Sequence, residues 1–152
     1  MDTSNFSLEE ITFPVGYLNF HKQIVYNFQF NRWYSMGYAR EEDFRGVAER
    51  IRTFSDWKTW MVKIAEKAES EKRLLNAAFY YRAAEFYMSP GDPDKQRSYE
   101  NFLRLFKEAT AHTGIEEIDI PYGEGFLPCL KMKARDEKKK QVLVIHGGFD
   151  SF

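Results

Sequence analysis

The sequence is poor in three features that would point to particular environments. It has one cysteine, Cys129, so no disulfide can form within the chain and a reducing compartment is expected. Its net charge is -1, from 22 basic and 23 acidic residues, which leaves no field of one sign to attract nucleic acid or an anionic membrane. No apolar run approaches the roughly 20 residues that a membrane helix needs. We therefore expect a cytoplasmic chain with no nucleic-acid partner and no membrane partner.

Signals for export and for metal binding are also missing. Residues 1–4 are acidic and polar, which is not typical of a secretory leader. His21 and His112 lie far apart, and neither has the neighbouring Cys or carboxylate spacing of a metal site. We expect no metal site and no cofactor.

Helical periodicity is the main signal that is present. In a chain of 152 residues with 43% hydrophobic and 17% aromatic content, residues 40–113 predict a set of helices. A helix is also expected near residues 16–28. Ser55 has the short side chain of an N-cap, and Trp57, Trp60, Met61 and Ile64 follow on one helical face. The opposite face of this helix is predicted to be wet, and it carries Lys58, Lys63, Glu66, Lys67 and Glu69.

The segment 74–88 is apolar on nearly every side, which is typical of a helix buried between neighbours. Arg82 and Glu85 interrupt it. If both lie inward they must form a pair, because an unpaired buried charge is costly. A further helix is predicted to follow, with Asp92 as its cap and Pro93 in its first turn, and to stop before Gly114.

At Ile115 the hydrophobic period changes from helical to alternating, which indicates strands. Gly123-Glu124-Gly125 predicts a tight turn between a first strand and a second one over residues 126–133. The four consecutive apolar residues 142–145 predict a third strand, buried on both faces. The sequence thus divides into an aromatic-rich segment (residues 1–39), a helical domain (residues 40–114) and the start of an α/β domain (residues 115–152).

His146-Gly147-Gly148 directly follows the predicted third strand. Glycines let the main chain approach a ligand closely, so that backbone N–H groups can point into a cleft. Such donors stabilise the oxyanion that forms in acyl transfer.

Residues 142–151, Val-Leu-Val-Ile-His-Gly-Gly-Phe-Asp-Ser, resemble the oxyanion loop of α/β-hydrolases. With the Trp-rich helix and the hairpin before it, the chain is similar to members with an N-terminal helical cap. These include 2,6-dihydropseudooxynicotine hydrolase-like and FrsA-like enzymes, which are related to acylaminoacyl-peptidase-type hydrolases. The resemblance covers roughly residues 15–152. It implies that the backbone of Gly147, Gly148 and Phe149 offers the oxyanion donors, and that His146 and Asp150 shape the loop.

The resemblance implies a mainly α N-terminal cap of helical hairpins, followed by the first three strands of a truncated α/β-hydrolase sheet. No Gly-x-Ser-x-Gly elbow occurs in the sequence, so the nucleophile, the acid and the catalytic histidine of a serine hydrolase are absent. We expect a chain that is not catalytically complete alone. In the complete enzyme, the cap would bind a small apolar or aromatic substrate carrying an ester, amide or C–C bond. Trp57, Trp60 and Tyr81 are the candidate pocket-lining residues, although aromatic residues at helical spacing more often belong to a core.

A non-enzymatic reading stays open beside this one. The paired helices, with regular Ala and Tyr and a proline after the second helix, resemble one tetratricopeptide-like hairpin. A stable array of that kind needs about three repeats. The alternative function is therefore a helical protein-interaction module. In either case an exposed terminal strand offers a route to self-association.

Overall fold

The structure is a computed structural model that describes residues 16–133 and 142–147. The chain forms two compact units, Met1–Thr113 and Gly114–Phe152. In the described residues, no helix is both long enough and apolar enough to cross a bilayer. The first unit is helical and the second holds an antiparallel hairpin. The elements are α1 (Ile24–Ser35), α2 (Glu41–Ala48), α3 (Phe54–Ser70), α4 (Leu74–Phe86), α5 (Lys95–Thr110), β1 (Glu116–Tyr122) and β2 (Gly125–Lys131).

The first helix lies further along the chain than residues 16–28, so that prediction is wrong. Two amide side chains of α1 hold the preceding segment in a non-helical form. Asn27 Oδ1 accepts from the backbone N–H of Phe20 at 2.8 Å, and Asn31 Oδ1 accepts from that of Leu18 at 2.7 Å. These side-chain acceptors satisfy the two backbone N–H groups, which therefore do not need the carbonyl partners of a helix.

Thr53, and not Ser55, is the N-cap of α3. Its side chain accepts from the backbone N–H of Asp56, whose carboxylate accepts in return from the backbone N–H of Thr53. This reciprocal capping box starts the helix two residues earlier than Ser55 would. The preceding helix, α2, ends at Ala48.

Helix α4 packs between α3 and α5, as its all-round apolar surface predicts. Ala77, Ala78, Ala83 and Ala84 are fully buried, and their small size allows close approach of the neighbouring helices. The expected pairing is confirmed: Arg82 and Glu85 are both buried and form an ion pair. Lys95 forms a second ion pair with Glu85.

Aromatic rings build the centre of the helical unit. Phe30 of α1 lies 4.7 Å from Phe44 of α2 and 4.9 Å from Trp57 of α3, measured between ring centroids. All three side chains are fully buried. Burial of rings of this size contributes most of the hydrophobic stabilisation available to a small domain.

A buried polar network connects α2 with α4. The Tyr80 hydroxyl donates to Asp43 Oδ2 at 2.8 Å and accepts from the backbone N–H of Arg40 at 3.0 Å. Arg73 donates to the same Asp43 oxygen at 2.8 Å. Burial, followed by the charge of Asp43, raises the pKa of Tyr80, so its hydroxyl stays protonated at neutral pH.

The turn between α3 and α4 requires a left-handed residue. Lys72 has φ of 62° there. The N–H of Arg73 donates to the carbonyl of Ala68, and the N–H of Lys72 donates to that of Glu69. These two bonds define a Schellman motif, whose left-handed position usually holds glycine.

The predicted hairpin of the second unit is confirmed. β1 and β2 pair antiparallel, with Ile118 opposite Cys129 and Ile120 opposite Leu127. Gly123 has φ of 59° in the two-residue loop, a value that favours glycine. Large apolar side chains on both faces of the hairpin are 37% to 71% exposed.

The predicted three-stranded α/β-hydrolase sheet is wrong for the described residues, where β1 and β2 form a two-stranded sheet. Residues 142–147 have no assigned strand or helix, and the four apolar side chains at 142–145 are 79% to 88% exposed. The sequence pattern predicted burial on both faces. A strand forms only where a neighbour offers its N–H and C=O groups, and none of the described residues does so here.

Candidate functional site

The predicted oxyanion loop is only partly described. His146 and Gly147 are exposed, and the His146 Nδ1 atom lies 2.8 Å from the carbonyl oxygen of Gly147. Gly148, Phe149 and Asp150 lie outside the described residues. The described part of the loop therefore makes a local contact at its histidine.

The two tryptophans predicted as pocket-lining residues occupy different environments. Trp57 is 0% exposed, and its indole N–H donates to the carbonyl of Ala83 at 2.7 Å, which places it in the core. Trp60 is partly buried. The guanidinium of Arg50 and the ammonium of Lys63 lie over its ring, 4.8 and 4.3 Å from the ring centroid. Trp60 thus positions Lys63 through a cation–π contact.

Tyr81, the third predicted residue, lies in a groove of about 330 Å³ between α3 and α5. We call this the α3–α5 groove. It forms because both helices pack against α4, which leaves Tyr81 of α4 between them. The lining residues are Lys58, Thr59, Val62, Lys63, Glu66, Tyr81, Asp94, Arg97, Ser98 and Asn101.

One end of the groove is held by Lys58, whose ammonium lies 2.6 Å from Asp92 Oδ1 and 2.7 Å from Asp94 Oδ2. The hydrogen bonds that Lys58 donates to Asp92 and Asp94 raise its pKa, so this cation stays charged. Asp92 was predicted to cap a helix with Pro93 in its first turn, but α5 begins at Lys95. Asp92 instead accepts from Lys58 and from the backbone N–H of Asp94.

A second ion pair also connects α3 and α5. Arg104 of α5 donates to Glu69 of α3 at 2.7 Å. The two helices are therefore connected through side chains at two levels, and the groove-lining residues 59–66 of α3 lie between those levels in sequence.

Two hydroxyl groups in the groove have no hydrogen-bond partner within the described part of the chain. Tyr81 is 6% exposed and Ser98 is 4% exposed. Burial, followed by the charges of Glu69 and Glu66, raises the pKa of Tyr81. The Tyr81 hydroxyl therefore stays protonated at neutral pH and can donate a hydrogen bond. Neither hydroxyl oxygen is among the fully buried side-chain atoms that lack a partner in the described residues. Both therefore open onto the groove, where water or a ligand can accept their hydrogen bonds.

The charges around the groove balance once Asp92, which also pairs with Lys58, is counted. Three cations, Lys58, Lys63 and Arg97, face two carboxylates, Glu66 and Asp94. Lys58 is engaged by acids, whereas Arg97 makes neither an ion pair nor a side-chain hydrogen bond with any of the described residues. Arg97 is thus a charged donor available to a ligand.

Sequence reasoning assigned Tyr81 to a pocket but missed Arg97 and Ser98. The face of α3 that was predicted to be wet supplies Lys58, Lys63 and Glu66 to the groove. Arg97 and Asn101 are spaced by four residues on α5, so they share one helical face. That spacing was the only available signal, and it is equally typical of an ordinary solvated face.

Comparison with known proteins adds no relative: no protein-family model, no curated protein and no solved structure matches the chain. Over residues 16–133 and 142–147, no group of three or more His, Cys, Asp or Glu side chains is arranged to hold a metal ion.

Proposed function

We propose that this chain carries the helical cap and the oxyanion loop of an α/β-hydrolase of the serine type. The nucleophile, the acid and the catalytic histidine would then come from sequence outside these 152 residues. The complete enzyme would act on an ester, amide or C–C bond of a small apolar or aromatic substrate. Gly147, Gly148 and Phe149 would offer backbone N–H groups to the developing oxyanion.

The observation that carries this proposal is the apolar run before His146. Four large aliphatic side chains at 142–145 are almost fully exposed, which is costly at roughly 1.5–3 kcal/mol for each side chain left unburied. A chain seldom keeps such a run unless it becomes covered. The rest of a hydrolase domain would pack against the apolar run and bury it. Gly147 would then lie at the edge of an active site.

The helical unit supports the proposal by its chemistry. A cap needs a rigid core and a surface that can meet a substrate. Phe30, Phe44 and Trp57 supply the rigid core, and the groove with Tyr81 is a recess on that unit's own surface.

Labelling with a fluorophosphonate probe tests whether the chain is catalytically incomplete. We expect no activity-dependent labelling of the 152-residue chain, because no serine lies in a Gly-x-Ser-x-Gly elbow. An intact serine hydrolase serves as the positive control, and the heat-denatured chain measures background. Stoichiometric labelling that disappears after substitution of one serine by alanine would contradict the proposal.

The coding sequence beyond codon 152 tests the other half of the proposal. An open frame that encodes a Gly-x-Ser-x-Gly elbow, followed by an acid and a histidine, is expected. A frame that holds no such elbow would favour the helical interaction module instead.

A further inference from the structure

We propose that the α3–α5 groove is a binding site for a small organic anion, with Arg97 and the hydroxyls of Tyr81 and Ser98 as its donors. The anionic group would be a carboxylate or a phosphate monoester, and its carbon part would contact Val62 and the ring of Tyr81. The inference concerns the helical unit alone and does not rest on the hydrolase proposal.

The volume of the groove, about 330 Å³, is at the lower end of the range that small-molecule sites occupy. Its wall combines apolar and polar parts. Val62 and the ring of Tyr81 offer carbon surface, and the polar groups converge from α3, α4 and α5. A few polar donors placed around an apolar surface are typical of ligand pockets.

An anion is chosen because one positively charged side chain of the groove forms no ion pair in the described residues. Arg97 has no acidic partner in the described residues, whereas both acids near Lys58 are already engaged by it. A guanidinium matches a carboxylate or phosphate with two parallel hydrogen bonds. Lys63, held over the ring of Trp60, adds a second cation at the groove wall.

The two hydroxyls strengthen this choice. Tyr81 and Ser98 are both more than nine-tenths buried and line the groove without a hydrogen-bond partner among the described residues. Each hydroxyl can donate one hydrogen bond, and an anion accepts several. Glu66 also lies at the groove, and the charge of Glu69 reaches the Tyr81 hydroxyl as well. These negative charges favour a singly charged carboxylate over a phosphate monoester, which carries nearly two charges.

The test is a titration of the isotopically labelled full chain, observed through its backbone amide signals. Phenylacetate and phenyl phosphate are the two anionic probes, and phenylacetamide is the neutral control of the same shape. We expect either anion to shift amides of residues 58–66 and 94–101, and the amide control to be at least tenfold weaker. Comparison of the dissociation constants of the two anionic probes shows whether the groove prefers a carboxylate or a phosphate.

Three variants assign the donors. Arg97→Gln should weaken probe binding about tenfold or more, because it removes a charge-assisted bond. Tyr81→Phe should weaken it about threefold to tenfold while leaving thermal stability unchanged, since the hydroxyl has no partner to lose. Arg45→Gln is the matched control, with the same loss of charge on α2 outside the groove, and should change binding less than about twofold.

Several results would overturn the inference. These are shifts scattered away from the groove, equal binding of phenylacetamide, unchanged binding by Arg97→Gln, and no shift up to about 10 mM of either anion. A far-UV circular dichroism spectrum of each variant shows that it is folded. Arg97 is exposed, so its substitution should not unfold the helical unit.

Discussion

Many large apolar side chains of the helical unit are buried, whereas those of the hairpin are exposed. In the helical unit, Phe30, Phe44 and Trp57 are completely buried. In the hairpin, Ile118, Ile120 and Leu127 are held in register by backbone hydrogen bonds, yet each keeps more than a third of its surface in water. The comparison teaches that periodicity predicts the conformation of a segment, whereas burial depends on what other segments supply. A two-stranded hairpin is only marginally stable without such cover.

The largest expected effect is at Trp57. Trp57→Ala removes the central ring and the bond to Ala83, and it should lower the free energy of unfolding by about 3–5 kcal/mol. Urea unfolding followed by far-UV circular dichroism measures this. The control is Tyr122→Ala in the exposed hairpin, which should change the helical transition by less than about 0.5 kcal/mol. Equal effects of the two substitutions would remove the contrast between the units.

The next effect is at Tyr80, where one hydroxyl joins two helices. Tyr80→Phe leaves an Asp43 oxygen and the N–H of Arg40 with one partner fewer, which should cost about 1–3 kcal/mol. Its neighbour provides the matched control, because Tyr81→Phe removes a hydroxyl that has no partner in residues 16–133 or 142–147. Thermal unfolding of both variants checks this. A Tyr81→Phe loss as large as that of Tyr80→Phe would mean that the Tyr81 hydroxyl is structural.

A smaller effect, of opposite sign, is expected at the turn between α3 and α4. Lys72→Gly should stabilise the protein by about 0.5–1 kcal/mol, because glycine adopts the left-handed conformation without strain. Differential scanning calorimetry measures the shift. Lys67→Gly, within α3, is the control and should destabilise by about 1 kcal/mol. An unchanged or lower melting temperature for Lys72→Gly would show that the left-handed turn is not strained.

The smallest effects concern two partly exposed carboxylates, one in each unit. Hydrogen bonds from Lys133 and Lys131 lower the pKa of Glu116 to about 2, and hydrogen bonds from Thr53 and the Arg52 backbone lower the pKa of Asp56. A lowered pKa in the folded state means that the carboxylate stabilises above its unfolded pKa. That stabilisation is lost as pH falls through the folded value.

Carbon-13 titration of the carboxyl groups, with amide shifts recorded in parallel, checks this pair. Pairing of the hairpin should weaken as pH falls from about 4 towards 2, and the start of α3 should fray below the usual aspartate pKa of about 3.9. Glu116→Gln should remove the first transition and Asp56→Asn the second. A Glu116 titration at the usual glutamate pKa would contradict its pairing with two lysines.

Prediction from sequence succeeded where local rules decide the outcome. The hairpin followed from alternation and from Gly123, and the burial of α4 followed from its all-round apolar surface. It failed where side chains compete for backbone groups. Asn27 and Asn31 bind backbone N–H groups before α1, so the first helix begins later than predicted. Thr53, and not Ser55, caps α3. Several short polar residues stand near each helix start, and the sequence does not reveal which one finds the free N–H.

The candidate site was harder to predict than the fold. Trp57 and Tyr81 both lie in apolar helices, and only their neighbours decide that one is core and the other faces a groove. Arg97 resembled any surface arginine in the sequence. Its lack of an ion pair within the described part of the chain became visible only when α3 and α5 were placed on either side of α4.

By itself the sequence determined that helices fill most of residues 54–110, that a hairpin turns at Gly123, and that His146-Gly147 follows an apolar run. The tertiary structure alone decided which aromatic rings fill the core and which hydroxyls remain unpaired. It also decided that residues 142–145 stand exposed. The physical reason is that conformation follows from local spacing and capping, whereas burial and pairing depend on groups that are distant in sequence.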